Sequence, residues 1–169
     1  MKRIVSILFL GLVFCHFHAL AQYDTTGFFG QYKYDWSLVK LDNKYGFIND
    51  KGKEVVSAIY DSIGYFEVYR YNWALVKHYN KYGFINDKGK EVVPAIYDSI
   101  GYFEVYRYNW ALVKHDNKYG FINDKGKEVV PAIYDSIGYF GVYRDNWALV
   151  KIDSKSGFIN TEGKFVSTK

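Results

Sequence analysis

Apolar residues in this chain come in short runs broken by polar groups, and no window sustains the spacing of a helix. Trp73-Ala74-Leu75-Val76-Lys77 is one such run; His78-Tyr79-Asn80-Lys81 interrupts it, and Tyr82-Gly83-Phe84-Ile85-Asn86 follows. Asx residues favour turns of this kind, so the pattern predicts the two arms of a hairpin. Asn86-Asp87-Lys88-Gly89 predicts a second tight turn, with Gly89 free to take a positive φ. Glu91-Val92-Val93 reads as a third strand ended by Pro94, which cannot donate to a ladder. Segments 96–100 and 102–108 are rich in residues that suit a pleated surface, making three or four short strands in all. The prediction is an all-β fold.

The same text then repeats. Trp36, Trp73, Trp110 and Trp147 stand 37 residues apart, as do Gly46, Gly83, Gly120 and Gly157. Segment 73–109 differs from 110–146 at only three positions, Tyr79/Asp116, Glu104/Gly141 and Tyr108/Asp145. Such a period marks tandem units, each too small to bury its own apolar face and stabilised by its neighbours. Counted from tryptophan, the full units are 36–72, 73–109 and 110–146; segment 147–169 matches the front of a unit and 22–35 the back of one. Two architectures follow. In an open twisted array the ends need polar caps, for which Thr161, Glu162, Lys164, Ser167 and Thr168 are suited. In a closed, small propeller-like ring, 22–35 and 147–169 would complete one shared unit and leave no long edges.

The first residues belong to neither. Lys2 and Arg3 precede an apolar run over 4–14, and Ala19-Leu20-Ala21 places small residues where a signal peptidase reads. Residues 1–21 are therefore expected to be a secretory signal cleaved after Ala21. The run is too short for the roughly 30 Å of hydrocarbon in a bilayer, which excludes a spanning helix there. Phe14 stands before Cys15 where lipid attachment needs a small residue. Cleavage removes the single cysteine and leaves no disulfide, so the exported chain must rest on packed core alone. It also removes Lys2 and Arg3, taking the formal net charge of +4 down by two. The remaining Lys and Asp alternate through the turns, with no basic stripe to follow a phosphate backbone, so nucleic acid is excluded as a partner. The expected location is periplasmic, cell-surface or secreted, with no membrane insertion after cleavage.

Lys81-Tyr82-Gly83-Phe84-Ile85-Asn86-Asp87-Lys88-Gly89-Lys90-Glu91-Val92-Val93-Pro94, followed by Ile96-Tyr97-Asp98, resembles the bacterial WG repeat, also called the KWG repeat. Phe103 and Ala111-Leu112-Val113 are similar to the tail of that motif. The chain departs from it at the namesake tryptophan, where it has Tyr45, Tyr82, Tyr119 and, last, Ser156. Tyrosine keeps a flat ring, so the fold should survive, whereas Ser156 points to a loosened end. Repeats of this family occur in variable number, which implies the open array over the ring. The resemblance implies a structural or interaction repeat and no shared activity.

Little in the chain suggests catalysis. His78 and His115 share one register, but Leu41 and Ile152 fill the equivalent positions, so the slot takes apolar residues. Asp50, Asp87 and Asp124 start Asn-Asp-Lys-Gly turns yet lack the alternating ligands and closing Glu of a calcium loop. Ser62, Ser99 and Ser136 have no matching histidine and no strained elbow around them. A site copied almost unchanged from unit to unit is unlike the single asymmetric pocket an enzyme needs. No catalytic residue, metal ligand or cofactor is expected.

The aromatic tail of each unit is the candidate contact surface. Read as a strand, 102–108 places Tyr102, Glu104, Tyr106 and Tyr108 on one face and Phe103 and Val105 in the core. Tyr69, Tyr71, Tyr106, Tyr108 and Tyr143 are the candidate ligand-contact residues, since tyrosine offers a large, fairly rigid, amphipathic area; the other reading is that the tyrosines pack cross-strand against the next unit and fill an aromatic interface between repeats. The expected function is a non-catalytic protein-interaction scaffold; the alternative is a carbohydrate- or cell-wall-binding module built on exposed tyrosines. The partner is then a protein or an envelope glycan.

Overall fold

The structure, a computed structural model, describes residues 22–166, all strands and turns without a helix. The expected signal segment 1–21 lies outside the described residues, as do Ser167 and Thr168 of the expected cap. Four four-stranded antiparallel sheets follow one another along the chain. The first holds β1 (Thr25–Thr26), β2 (Trp36–Leu41), β3 (Lys44–Asn49) and β4 (Glu54–Tyr60). The second holds β5 (Ser62–Phe66), β6 (Trp73–His78), β7 (Lys81–Asn86) and β8 (Glu91–Tyr97). The third is β9 (Ser99–Phe103), β10 (Trp110–His115), β11 (Lys118–Asn123) and β12 (Glu128–Tyr134), and the fourth is β13 (Ser136–Ile137), β14 (Trp147–Ile152), β15 (Lys155–Asn160) and β16 (Phe165–Val166).

Each sheet is a meander in which sequence neighbours pair. The central hairpin runs from Trp73↔Asn86 to His78↔Lys81 and closes on Tyr79-Asn80, whose φ angles of 46° and 63° form a type I′ turn. That turn matches the right-handed twist of the flanking strands. The next turn is held by Asn86, whose Oδ1 accepts from the amides of Lys88 and Lys90 at 3.0 Å each. Pro94 does not end its strand. β8 continues through it to Tyr97 because β8 is the outer strand of the sheet, where a missing N–H leaves no ladder bond unmade.

Sheets change at Asp61, Asp98 and Asp135, not at the tryptophans. Segment 22–35 thus supplies β1 to the first sheet, paired with β2, while β16 pairs with β15 at the other end. Among the described residues no strand joins the first sheet to the fourth, so the array is open and the ring is not formed.

The two faces of a sheet differ in size, and this is how the sheets stack. On β6, Trp73 and Leu75 point to one side and Ala74 and Val76 to the other; on β7, Phe84 and Ile85 divide the same way. Trp73, Phe84, Val93 and Tyr97 of the second sheet pack against Ile100, Ala111, Val113 and Ile122 of the third. The same large face meets the same small face between the first and second sheets and between the third and fourth. Each fully buried phenylalanine in these layers contributes about 1.5–3 kcal/mol over its exposed state. Backbone proximity seals each junction. Gly126 has φ +77, and a Cβ there would run into the Val92 carbonyl of the preceding sheet. Gly83 is required within a sheet, because a Cβ would strike the bulged backbone of β8 at Val93 to Ala95.

Segment 102–108 is not one strand. β9 stops at Phe103, Glu104 turns the chain at φ 70°, and Asn109 turns it again at φ 60° before β10. The inferred alternation is therefore lost, and Val105 is exposed instead of joining the core.

Candidate binding surfaces

The loops that connect the first two strands of each sheet carry the candidate tyrosines. In the second sheet the loop is closed by backbone bonds from Glu67 N to Trp73 O (3.0 Å) and from Trp73 N to Arg70 O (3.1 Å). Glu67 and Asn72 hold positive φ of 69° and 60°, so the loop arches away from the sheet. Tyr71 and Tyr108 are 73% and 75% exposed on successive loops, with Val68 and Val105 exposed beside them.

Tyr69 and Tyr106 turn the other way. Tyr69 meets Phe84 edge-on at 5.7 Å and stacks on Tyr102 of the next sheet at 4.5 Å. Tyr106 does the same with Phe121 (5.6 Å) and Tyr139 (4.5 Å). Burial raises the phenol pKa of both, with a smaller contribution from the neighbouring tyrosine. Tyr143 occupies the equivalent position in the fourth sheet, meets no following sheet among the described residues, and is 69% exposed. The five nominated tyrosines thus divide into outward Tyr71, Tyr108 and Tyr143 and junction-facing Tyr69 and Tyr106.

Beside each junction-facing tyrosine lies an open cleft. Tyr69, Leu75, Tyr82, Asp98, Ser99 and Ile100 line one of about 410 Å³. Tyr106, Leu112, Tyr119, Asp135, Ser136 and Ile137 line its counterpart of about 410 Å³ one unit on. Asp98 ties the walls together: its Oδ1 receives Lys81 Nζ of the preceding sheet at 2.6 Å. That hydrogen bond holds the carboxyl below the ordinary aspartate range, and the same contact raises the lysine. Asp135 and Lys118 repeat the arrangement, and Lys44 pairs with Asp61 at the first junction. The Tyr-Asp of the repeat is therefore an inter-sheet tie.

The remaining sequence candidates are placed by packing. The His78 Nδ1 donates to the Ile59 carbonyl at 2.7 Å, and its ring sits edge-on to Tyr60 at 6.0 Å. His115 sits likewise against Tyr97, at 6.0 Å. Asp124 receives Arg70 Nη2 at 3.2 Å, a latch from one sheet's loop to the next sheet's turn. The Asp87 carbonyl accepts Lys33 Nζ at the preceding junction. Ser62, Ser99 and Ser136 open the edge strands, exposed. Among the described residues no group of three or more His, Cys, Asp or Glu is placed to hold a metal.

Sequence reasoning missed the clefts and the Arg70 latch. Both join residues of neighbouring sheets, and the only available signal was Lys33 and Arg70 sharing a register 54 residues before a turn aspartate.

Three consecutive segments, 45–82, 82–119 and 119–155, match the WG containing repeat. The chain belongs to the WG-containing repeat family. Each match starts at a tyrosine standing where the family has tryptophan. In these WG repeats that tyrosine is partly buried; Lys77 Nζ lies 5.4 Å from the Tyr82 ring centroid and Lys114 Nζ 5.6 Å from that of Tyr119. The glycine after it is the position where β8-type backbone leaves no room for a side chain. No curated protein and no solved structure matches the chain.

Proposed function

We propose that this chain is an exported, non-catalytic scaffold that binds an extended protein partner along the row of inter-strand loops. The observation that carries this reading is the recurrence of Val68/Tyr71 and Val105/Tyr108, solvent-exposed on successive loops of a rigid stack. Loops held by a packed scaffold are common carriers of binding function. Exposed apolar side chains grouped at equivalent positions suit protein contact, because their burial by a partner releases water from apolar area. Successive weak contacts spaced by one sheet gain avidity without any single strong site. Export is supported by the basic, apolar and small-residue order of 1–21.

The test is capture from an envelope extract by the immobilised protein, compared with Tyr71→Ser, Tyr108→Ser and the double variant. These side chains are exposed, so their truncation removes little packing from the fold. The single variants should each weaken capture of a defined partner about tenfold, and the double variant should abolish it. Capture of the same partner, undiminished, by the double variant refutes the reading.

A further inference from the structure

We propose that the clefts at the sheet junctions are a row of sites for pyranose rings of a polysaccharide, separate from the loop row that presents Tyr71 and Tyr108. A sugar ring has an apolar C–H face and a rim of hydroxyls, so a site for it needs aromatic wall and polar rim together. Each cleft supplies both. Tyr69 and Tyr82 are aromatic walls, Leu75 and Ile100 the apolar lining, and the Asp98 carboxylate and Ser99 hydroxyl the polar rim. The walls are set before any ligand arrives. Tyr69 is clamped between Phe84 and Tyr102, and Asp98 is fixed by Lys81. Binding therefore costs little ordering of side chains, the usual penalty for flexible sites. A volume of about 410 Å³ falls within the range of small-ligand pockets.

Repetition selects a polymer. The cleft at Tyr106, Leu112, Tyr119, Asp135, Ser136 and Ile137 copies the same six residue types, with the same volume of about 410 Å³. The first junction carries Tyr32, Leu38, Tyr45, Asp61, Ser62 and Ile63 at the equivalent positions. Identical subsites at one fixed repeat suit a chain of identical sugar units, each binding weakly and all binding together.

The full chain, expressed from its first residue and purified as its host processes it, is sedimented with insoluble cellulose, chitin, peptidoglycan and β-1,3-glucan. Ser99→Trp with Ser136→Trp fills both cleft mouths from exposed positions without touching the core, and circular dichroism checks the fold. The proposal expects retention on at least one of these polysaccharides, a drop of at least tenfold in the filled variant, and no change in Tyr71→Ser/Tyr108→Ser. It is overturned by no retention on any of the four, by retention that survives filling, or by retention lost only in the loop variant, which would assign the glycan to the loop row. Because protein capture depends on the loop variant and glycan retention on the filled one, either reading fails without the other.

Discussion

In the third sheet Phe121 is wholly buried, Trp110 lies against Phe140 of the next sheet, and Tyr106 stacks on Tyr139. The fourth sheet has Phe158, Trp147 and Tyr143 at those positions; the first two are partly exposed and Tyr143 is open to solvent. Nearly the same side chains are thus core in one sheet and surface in the other. What differs is the next sheet's small face of Ile, Ala and Val, which the fourth sheet does not receive from the described residues. Burial in this protein belongs to the junction, not to the sheet, as expected for a stack stabilised by nearest neighbours. Of the polar residues expected to cap the end, Thr161, Glu162 and Lys164 lie at its last turn, where Glu162 pairs with Lys164 at 2.9 Å, and these three leave Trp147 and Phe158 partly exposed. Phe165, where the third sheet has Glu128, is half exposed, and its ring lies over Gly157, the place filled by strand backbone at Gly120.

The largest expected effect that probes this contrast is a pair of truncations. Phe121→Ala removes a ring buried at 0% exposure and should cost about 3–5 kcal/mol. Phe158→Ala, with one side of the ring uncovered, should cost about 1–2 kcal/mol. Urea unfolding at constant slope reads both, and equal losses would show that the fourth sheet is as well packed as the third. Next in size is a pair of glycines. Gly126→Ala meets the Val92 carbonyl as well as an unfavourable φ, so a loss of at least about 2 kcal/mol is expected. Gly141→Ala has a comparable φ of +82 but nothing within 4 Å, and Glu104 already occupies the equivalent position at φ 70°, so its cost should be about 1 kcal/mol or less. Thermal melts that ranked the two the other way would remove the junction glycine from the account.

The smallest effect would complete a missing tie. Arg70 latches Asp124 across the second junction, whereas Arg107, at the equivalent position, has Thr161 in place of the aspartate and a buried Nε without a partner. Thr161→Asp should therefore stabilise the fourth sheet by about 0.5–1 kcal/mol, and added salt should reduce the gain. A gain that salt leaves untouched would mean that the latch is not electrostatic.

How far the sequence could be read depended on the range of the interaction. Tyr79-Asn80 and Asn86 to Gly89 form their turns as expected because backbone sterics and one Asx side chain decide them within four residues. Segment 102–108 departs from its sequence pattern for the opposite reason. Val105, Tyr106 and Tyr108 have strand propensities, yet the stacking of Tyr106 on Tyr139 of the next sheet goes with a loop, and propensity yields to such packing. Pro94 reads as a strand end in the sequence but lies within β8, because the sequence does not say which strand is the outer one.

By itself, the chain's text determined an all-β repeat of one period, its hairpins and turns, and its membership of the WG-containing repeats, since these rest on local chemistry repeated many times. Only the tertiary structure decided that sheets change at the aspartates, that the array stays open, and which tyrosines face out. Those outcomes depend on what a neighbouring sheet lays against each face, and Tyr69, Tyr106 and Tyr143 share a place in the repeat while differing in that neighbour.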